Sequence, residues 1–188
     1  MNKSTIRNNM KIRRAELSAE QVAAASREIC RNFLNARLLD GREHVLVYAD
    51  FANEVQTSQV VAACLFQKKS VYLPAVDGND TLKRAALDFA HTKRNRYGIL
   101  EPDLSVLPEV PLSGLDLVIL PGLAFSKKGD RIGFGKGYYD RLLKQAPVTL
   151  LKVALAYDFQ RCDDFSGEEH DIKAEVIVTQ SSVIRCGV

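Results

Sequence analysis

Tryptophan is absent from this 188-residue chain, methionine occurs twice, and the four cysteines, Cys30, Cys64, Cys162 and Cys186, stand far apart with no C-x-x-C pair. That spacing argues against a zinc site and a disulfide framework, and predicts buried, reduced thiols. His44, His91 and His170 are equally isolated, so no histidine metal cluster is visible. No apolar run approaches the ~20 residues that span a bilayer. The N-terminus carries polar Asn and Arg where a secretory signal has its apolar region, so a cytoplasmic location is expected. Net charge is only +3, too little for the chain as a whole to bind nucleic acid electrostatically. There are no repeats, low-complexity tracts or linkers, and 188 residues suit one domain, 1–188.

What is present is concentrated in LDLVILPGLAFSKKGDRIGFGKGYYDRLL, from Leu115 to Leu143. Asp116 to Leu120 is an apolar run suited to a strand buried on both faces, stopped by Pro121. A glycine- and lysine-rich loop follows, and Tyr138 to Leu143 is amphipathic enough for a helix. Gly133, Gly135 and Gly137 alternate with Phe134 and Lys136, just after Arg131. Glycine permits positive φ and close approach of amide groups, while Arg131, Lys136 and a helix start add positive charge; chains cradle phosphate in this way. The loop is neither a Walker loop, whose glycine spacing fails, nor a dinucleotide fingerprint, because Tyr138 holds the third glycine's place. Pattern alone leaves a phosphate cradle and an ordinary glycine-rich turn both open.

Along the chain, Lys3, Arg7, Lys11 and Arg14 are spaced by three or four residues along one side of a predicted helix, a basic arm over residues 1–17. Such a stripe is either a solvated face or an arm meeting an anion. Ser18 to Gln21 is a capping-box pattern starting a second helix with Val22, Ile29 and Phe33 on its apolar face, to about Leu38. His44 to Ala49 reads as a buried strand, Thr57 or Ser58 caps a helix running to about Lys68, and Ser70 to Leu73 is a strand ended by Pro74. Strand, helix, strand at this spacing implies a parallel βαβ unit. Thr81 to Ala90 reads as an edge strand, and Leu150 to Tyr157 and Glu175 to Thr179 as further strands. Lys93, Arg94 and Arg96 form a second basic cluster. The expectation is an α/β domain with a mainly parallel sheet flanked by helices, Rossmann-like in the broad sense. Ligands in such sheets sit beyond the carboxyl ends of the strands, so the loop holding Glu54 and the glycine segment should share one crevice. Magnesium accompanying a triphosphate prefers carboxylates, which Asp140 and Asp171 could supply.

These residues carry a resemblance. PGLAFSKKGDRIGFGKGYYDRLL is similar to the signature of the 5-formyltetrahydrofolate cyclo-ligase family. The Lys3…Arg7…Arg14…Leu17-Ser18 opening, Glu54-Val55-Gln56-Thr57, Tyr97-Gly98-Ile99 with Glu101-Pro102, and His170-Asp171-Ile172 agree in order and spacing, over nearly the whole chain. The resemblance implies a fold related to sugar-phosphate isomerases and CoA transferases. It also implies an ATP- and magnesium-dependent enzyme that phosphorylates the formyl oxygen of 5-formyltetrahydrofolate and closes the ring with nitrogen 10. By position it implies nucleotide contacts from Lys3 and Arg7 and an ATP loop of Arg131, Ile132, Gly133, Phe134, Gly135, Lys136, Gly137, Tyr138 and Tyr139. Arg131 and Lys136 become the catalytic cations on the transferring phosphate. Ala49, Glu54 and Phe134 through Tyr138 face the folate, and Asp140 and Asp171 hold magnesium. Ser126 departs from the family's usual Asp, and the Thr81 to Arg96 region matches poorly; Lys93, Arg94 and Arg96 either hold the folate's glutamate tail or form a solvated loop.

Two other readings compete. A sugar-phosphate isomerase or CoA transferase shares the sheet but has no need of the basic arm and the glycine-tyrosine loop. An RNA-binding module could use the arm and Lys93 to Arg96, yet the sequence has no RNA-binding motif or interleaved aromatic platform. The expectation is therefore a monomer acting on ATP and folate, without nucleic-acid or membrane partners.

Overall fold

Asn2 and Ser18 start the two helices that open the chain. The computed structural model describes residues 2–168 and 171–187. In helix α1 (Lys3–Ala15) the Asn2 side chain accepts the Thr5 amide at 2.8 Å. Lys3, Arg7 and Lys11 share one row, but Arg14 does not join them. It falls on the 6–10–14 row and is buried with Ile6 and Met10. Helix α2 (Ala19–Asn35) has the expected capping box, with Ser18 and Gln21 satisfying each other's amides, and buries Val22, Ile29 and Phe33. It stops short of Leu38, in turns that end at Gly41 with φ +67°.

The sheet begins with β1 (His44–Leu46), followed by α3 (Ser58–Phe66) and β2 (Ser70–Val76), the predicted parallel βαβ unit. Thr57 does not cap α3 through its hydroxyl, which instead donates to the Tyr48 carbonyl at 2.9 Å. Pro74 does not end β2, which runs on to Val76. The Tyr72 carbonyl faces β1, so Pro74, two residues on, faces the same side, beyond the last residue pair with β1. A missing N–H there breaks no ladder bond. Strand β3 (Leu82–Ala86) is the expected edge strand, antiparallel to β2 and shorter than predicted because residues 89–91 turn as a 3₁₀ helix. Two short strands, β4 (Thr92–Arg94) and β5 (Leu100–Pro102), then form a hairpin that the sequence reading missed.

The chain returns to the sheet as β6 (Leu117–Leu120), makes a small hairpin of β7 (Ala124–Phe125) and β8 (Arg131–Ile132), and enters α4 (Tyr138–Leu143). It ends with β9 (Leu151–Leu155), β10 (Val176–Val178) and the unforeseen antiparallel β11 (Val183–Arg185). The seven-stranded sheet has the order β11-β10-β9-β6-β1-β2-β3, parallel from β10 to β2 and antiparallel at both edges. Alternate residues of the central strands feed opposite faces. Val45, Leu117, Ile119 and Val153 pack with α2 and α3, whereas Leu46, Val118, Leu120 and Ala154 pack with Tyr139 and Leu143 of α4. A smaller cluster seats Ile6 and Met10 against Leu123, Ala124 and Ile132, so α1 lies on the β7–β8 hairpin. Cys30, Cys64 and Cys186 are buried free thiols, as expected, but Cys162 is only half-buried.

Candidate active site

The loops after β1 and β6 leave the carboxyl ends of neighbouring parallel strands, where α/β sheets place ligands. The β6 loop is anchored by the β7–β8 turn. Gly129 has φ +84° there, and a Cβ would stand 2.1 Å from the Ala174 carbonyl oxygen, so only glycine fits. Ser126 organises the same turn. Its hydroxyl accepts the Asp130 amide at 3.1 Å and the Lys128 amide at 3.2 Å. A serine makes this turn as an aspartate would, which explains how the departure from the family residue is tolerated.

Beyond the hairpin, the glycine loop meets the arm. Arg7 Nε donates to the Gly133 carbonyl at 2.9 Å, and Gly135, at φ +103°, brings its backbone close to the same guanidinium. Phe134 and Lys136 project from the loop as exposed side chains, and Gly137, at φ +65°, delivers the chain into α4. Arg131 does not stand free. It is buried, donates to the Pro121 carbonyl at 3.2 Å, and pairs with Asp140 at 2.6 Å. Asp140 Oδ1 also accepts the Ile172 amide at 3.1 Å, which draws the segment after Asp171 to α4. Lys3 closes the ring, bridging Asp171 at 2.8 Å and Glu168 at 2.9 Å. His170, part of the motif quoted above, lies outside the described residues. The arm, the glycine loop, Asp140 and Asp171 thus form one continuous cluster.

Glu54 is the acid of the β1 loop, and it is buried beside Arg14 with 3.7 Å between Oε1 and Nη1. Burial pushes its carboxyl up to about 7, against the pull of Arg14 and the Phe51 amide. The Arg14 guanidinium also lies 5.3 Å from the Phe134 ring centroid, linking the Glu54 pocket to the glycine loop. On the Glu54 loop the exposed Phe51 meets the exposed Tyr97 edge-on at 6.4 Å, and the half-buried Tyr138 donates its hydroxyl to Asp80. Aromatic rings beside a buried carboxylate can take a flat heterocycle carrying N–H donors. Ala49 is half-buried at the base of the same loop. Sequence reasoning missed Arg14 and Phe51. Arg14 was signalled by its place in the arm, but its turn inward depends on which helical row faces the hairpin.

The second basic cluster satisfies itself within its hairpin. Lys93 pairs with Asp103 at 2.8 Å, Arg94 donates to the Gly98 carbonyl at 2.6 Å, and Arg96 lies over Tyr97.

Comparison with known proteins shows the family. Residues 1–180 match the model of the 5-formyltetrahydrofolate cyclo-ligase family. A 5-formyltetrahydrofolate cyclo-ligase of Haemophilus influenzae is 33% identical over 173 residues, covering 89% of this chain and 91% of its own. One from Mus musculus is 28% identical, covering 96% of this chain and 94% of its own. The solved structure of Aquifex aeolicus 5,10-methenyltetrahydrofolate synthetase superimposes with a TM-score of 0.85 at 31% identity, over 100% of this chain and 94% of that one.

Proposed function

The chain belongs to the 5-formyltetrahydrofolate cyclo-ligase family and converts 5-formyltetrahydrofolate to 5,10-methenyltetrahydrofolate; we propose that Arg131, Lys136 and the arm position ATP for that step. The observation that carries this reading is the closure of α1 on the glycine loop through Arg7 and Gly133. It sets the cations of the arm against a loop of exposed backbone amides. Lys3 and Arg7 bind the nucleotide from one side, and residues 131–139 from the other.

The formyl oxygen attacks the γ-phosphorus and ADP leaves. Nitrogen 10 then attacks the activated carbon, a C–N bond forms, and phosphate departs with the former formyl oxygen while nitrogen 10 loses its proton. An amide oxygen is a poor leaving group and a phosphate is a good one, so positioning and charge neutralisation suffice. Lys136, exposed on the loop, reaches the transferring phosphoryl group as a mobile cation. Arg131, held by Asp140, offers a fixed one. Ala49, Glu54, Phe134 and Tyr138 hold the folate, with the carboxylate accepting from the pyrimidine N–H groups and the aromatic rings covering the pterin.

Among the described residues no group of three or more His, Cys, Asp or Glu side chains could hold a metal ion, so magnesium would rest on Asp140 and Asp171 together with water and the phosphates of ATP. Among the described residues no hydrogen bond uses Asp140 Oδ2, and Asp171 lies on the segment that Asp140 holds. A carboxylate oxygen of this kind suits a hard cation that keeps most of its water and binds phosphate oxygens. When bound, the ion would offset the charge of the β- and γ-phosphates. No described helix is long and apolar enough to cross a membrane. We take the protein to be one cytoplasmic domain that works as a monomer. The decisive experiment uses substrate with oxygen-18 in the formyl group. Transfer of the label to released phosphate supports the reading, whereas label released into water refutes phosphorylation at that oxygen.

A further inference from the structure

The loop that carries Glu54 is held in an unfavourable backbone conformation by one residue that the proposed reaction does not use. Ala52 and Asn53 both have positive φ, +48° and +56°, a region that side chains bearing a Cβ disfavour. Such strain persists where surrounding bonds over-determine it. Here the bonds come from Arg14 and its helix. Arg14 donates to the Phe51 carbonyl at 3.0 Å and through Nε to Ala52 at 3.2 Å, and Asn53 donates back to the Arg14 and Leu17 carbonyls at 2.9 and 3.1 Å. The guanidinium is only 3% exposed, and its remaining nitrogen, Nη1, has no hydrogen-bond partner among the described residues. An unpaired buried donor on a cation is costly, and native sites carry few without a reason.

Nη1 is also the nitrogen that faces Glu54, 3.7 Å from Oε1, with the Phe134 ring beside the guanidinium. Oε2 of Glu54 accepts the Phe51 amide at 3.1 Å and keeps a second lone pair, so the carboxylate and the cationic N–H still present two accepting oxygens and a donor side by side. The pyrimidine edge of a reduced pterin presents the converse: the 2-amino group and N3–H donate, and the adjacent 4-oxo group accepts. Resting on the assignment of Glu54 to the folate site, we propose that Arg14 is a specificity residue whose Nη1 donates to the 4-oxo oxygen while Glu54 accepts from N3–H and the 2-amino group. Phe134, flanked by Gly133 and Gly135, lies beside the guanidinium, where it would stack on the bound ring. Discrimination of this kind is strong because a mismatched ligand leaves buried polar groups unpaired.

The test compares 5-formyltetrahydrofolate with its 4-amino counterpart, in which the 4-position acceptor becomes a donor and N3 loses its proton and becomes an acceptor. The contact to Arg14 and the N3 contact to Glu54 are then both lost. Binding is measured without nucleotide, above the pKa of the diaminopyrimidine. Wild-type protein should bind the 4-amino compound more weakly by about 100-fold or more, as expected for loss of two hydrogen bonds to charged groups. Arg14→Met should shrink that ratio several-fold, Arg14→Lys should restore part of it, and the ATP dissociation constant should stay at the wild-type value in both. Equal affinity of the wild type for the two compounds overturns the proposal, even if Arg14→Met fails to fold. Equal weakening of both compounds by Arg14→Met also overturns it, since that marks a purely structural arginine. Failure of wild-type protein to bind 5-formyltetrahydrofolate at all instead removes the folate site on which the proposal rests.

Discussion

Replacing Glu54 by Gln should make the protein more stable at alkaline pH while weakening its grip on folate. The carboxyl's pKa rises from 4.5 to about 7, chiefly through burial, so the folded state favours the protonated form. For an acid raised in this way, the stability supplied by the neutral group is fully present below 4.5 and is lost as pH climbs through 7. At 1.36 kcal/mol per pH unit, the rise from 4.5 to about 7 corresponds to about 3 kcal/mol. Glutamine keeps the shape and stays neutral, so Glu54→Gln escapes that loss. Arg14 remains buried and charged in both proteins, and its own burial cost cancels in the difference. For a chain of this length each kcal/mol moves the melting temperature by about 2–4 °C. The melting-temperature advantage of Glu54→Gln should therefore grow by roughly 6–12 °C between about pH 4.5 and about pH 8.5. Thermal melts of the two proteins across that range measure it. Parallel curves, with a constant gap, would refute the assignment of a raised pKa to Glu54. In the same variant folate binding should fall while ATP binding holds; equal loss of both would mark Glu54 as structural.

Other sites carry predictions of different kinds. Lys136→Ala should lose most turnover with an unchanged melting temperature, because its side chain is exposed; near-wild-type rates would contradict its phosphate role. Arg131→Ala should lose turnover and also stability, by about 3 kcal/mol, since it breaks a largely buried pair with Asp140. An unchanged denaturation midpoint would show that pair to be dispensable. Asp140→Asn should raise the magnesium concentration for half-maximal rate by about 10-fold or more, as removal of a charged ligand does. An unaltered magnesium curve would place the ion elsewhere. Gly129→Ala should cost several kcal/mol, roughly 3 or more, by combining positive φ with a collision against the Ala174 carbonyl, and soluble wild-type-like protein would be the contrary result.

The fold was legible wherever the pattern was dense. Apolar runs at His44–Ala49, Asp116–Leu120 and Leu150–Tyr157 became neighbouring parallel strands, since strands buried on both faces have little option but to be apolar. The short hairpins were not legible: β7 and β8 have two residues each, too few for any period to register. Pro74 misled because its effect depends on which side of β2 still has a partner, a fact of the sheet and not of the strand. In the site, the glycine loop and its helix could be read from their chemistry. Arg14 could not: it matches the arm's spacing as well as Lys11 does, and only the packing of Ile6 and Met10 on the β7–β8 hairpin turns it toward Glu54. Arg131 was read as a cation on the transferring phosphate, with no partner assigned to it. Its pairing with Asp140, nine residues on, depends on how the glycine loop folds α4 back toward the end of β6.

The most direct test of the account is the rise of methenyl absorbance in the near ultraviolet when purified protein meets 5-formyltetrahydrofolate, magnesium and ATP. The signal should need both ATP and magnesium, come with one phosphate released per methenyl group formed, and collapse in Lys136→Ala. A flat trace from folded protein that binds both substrates would contradict it.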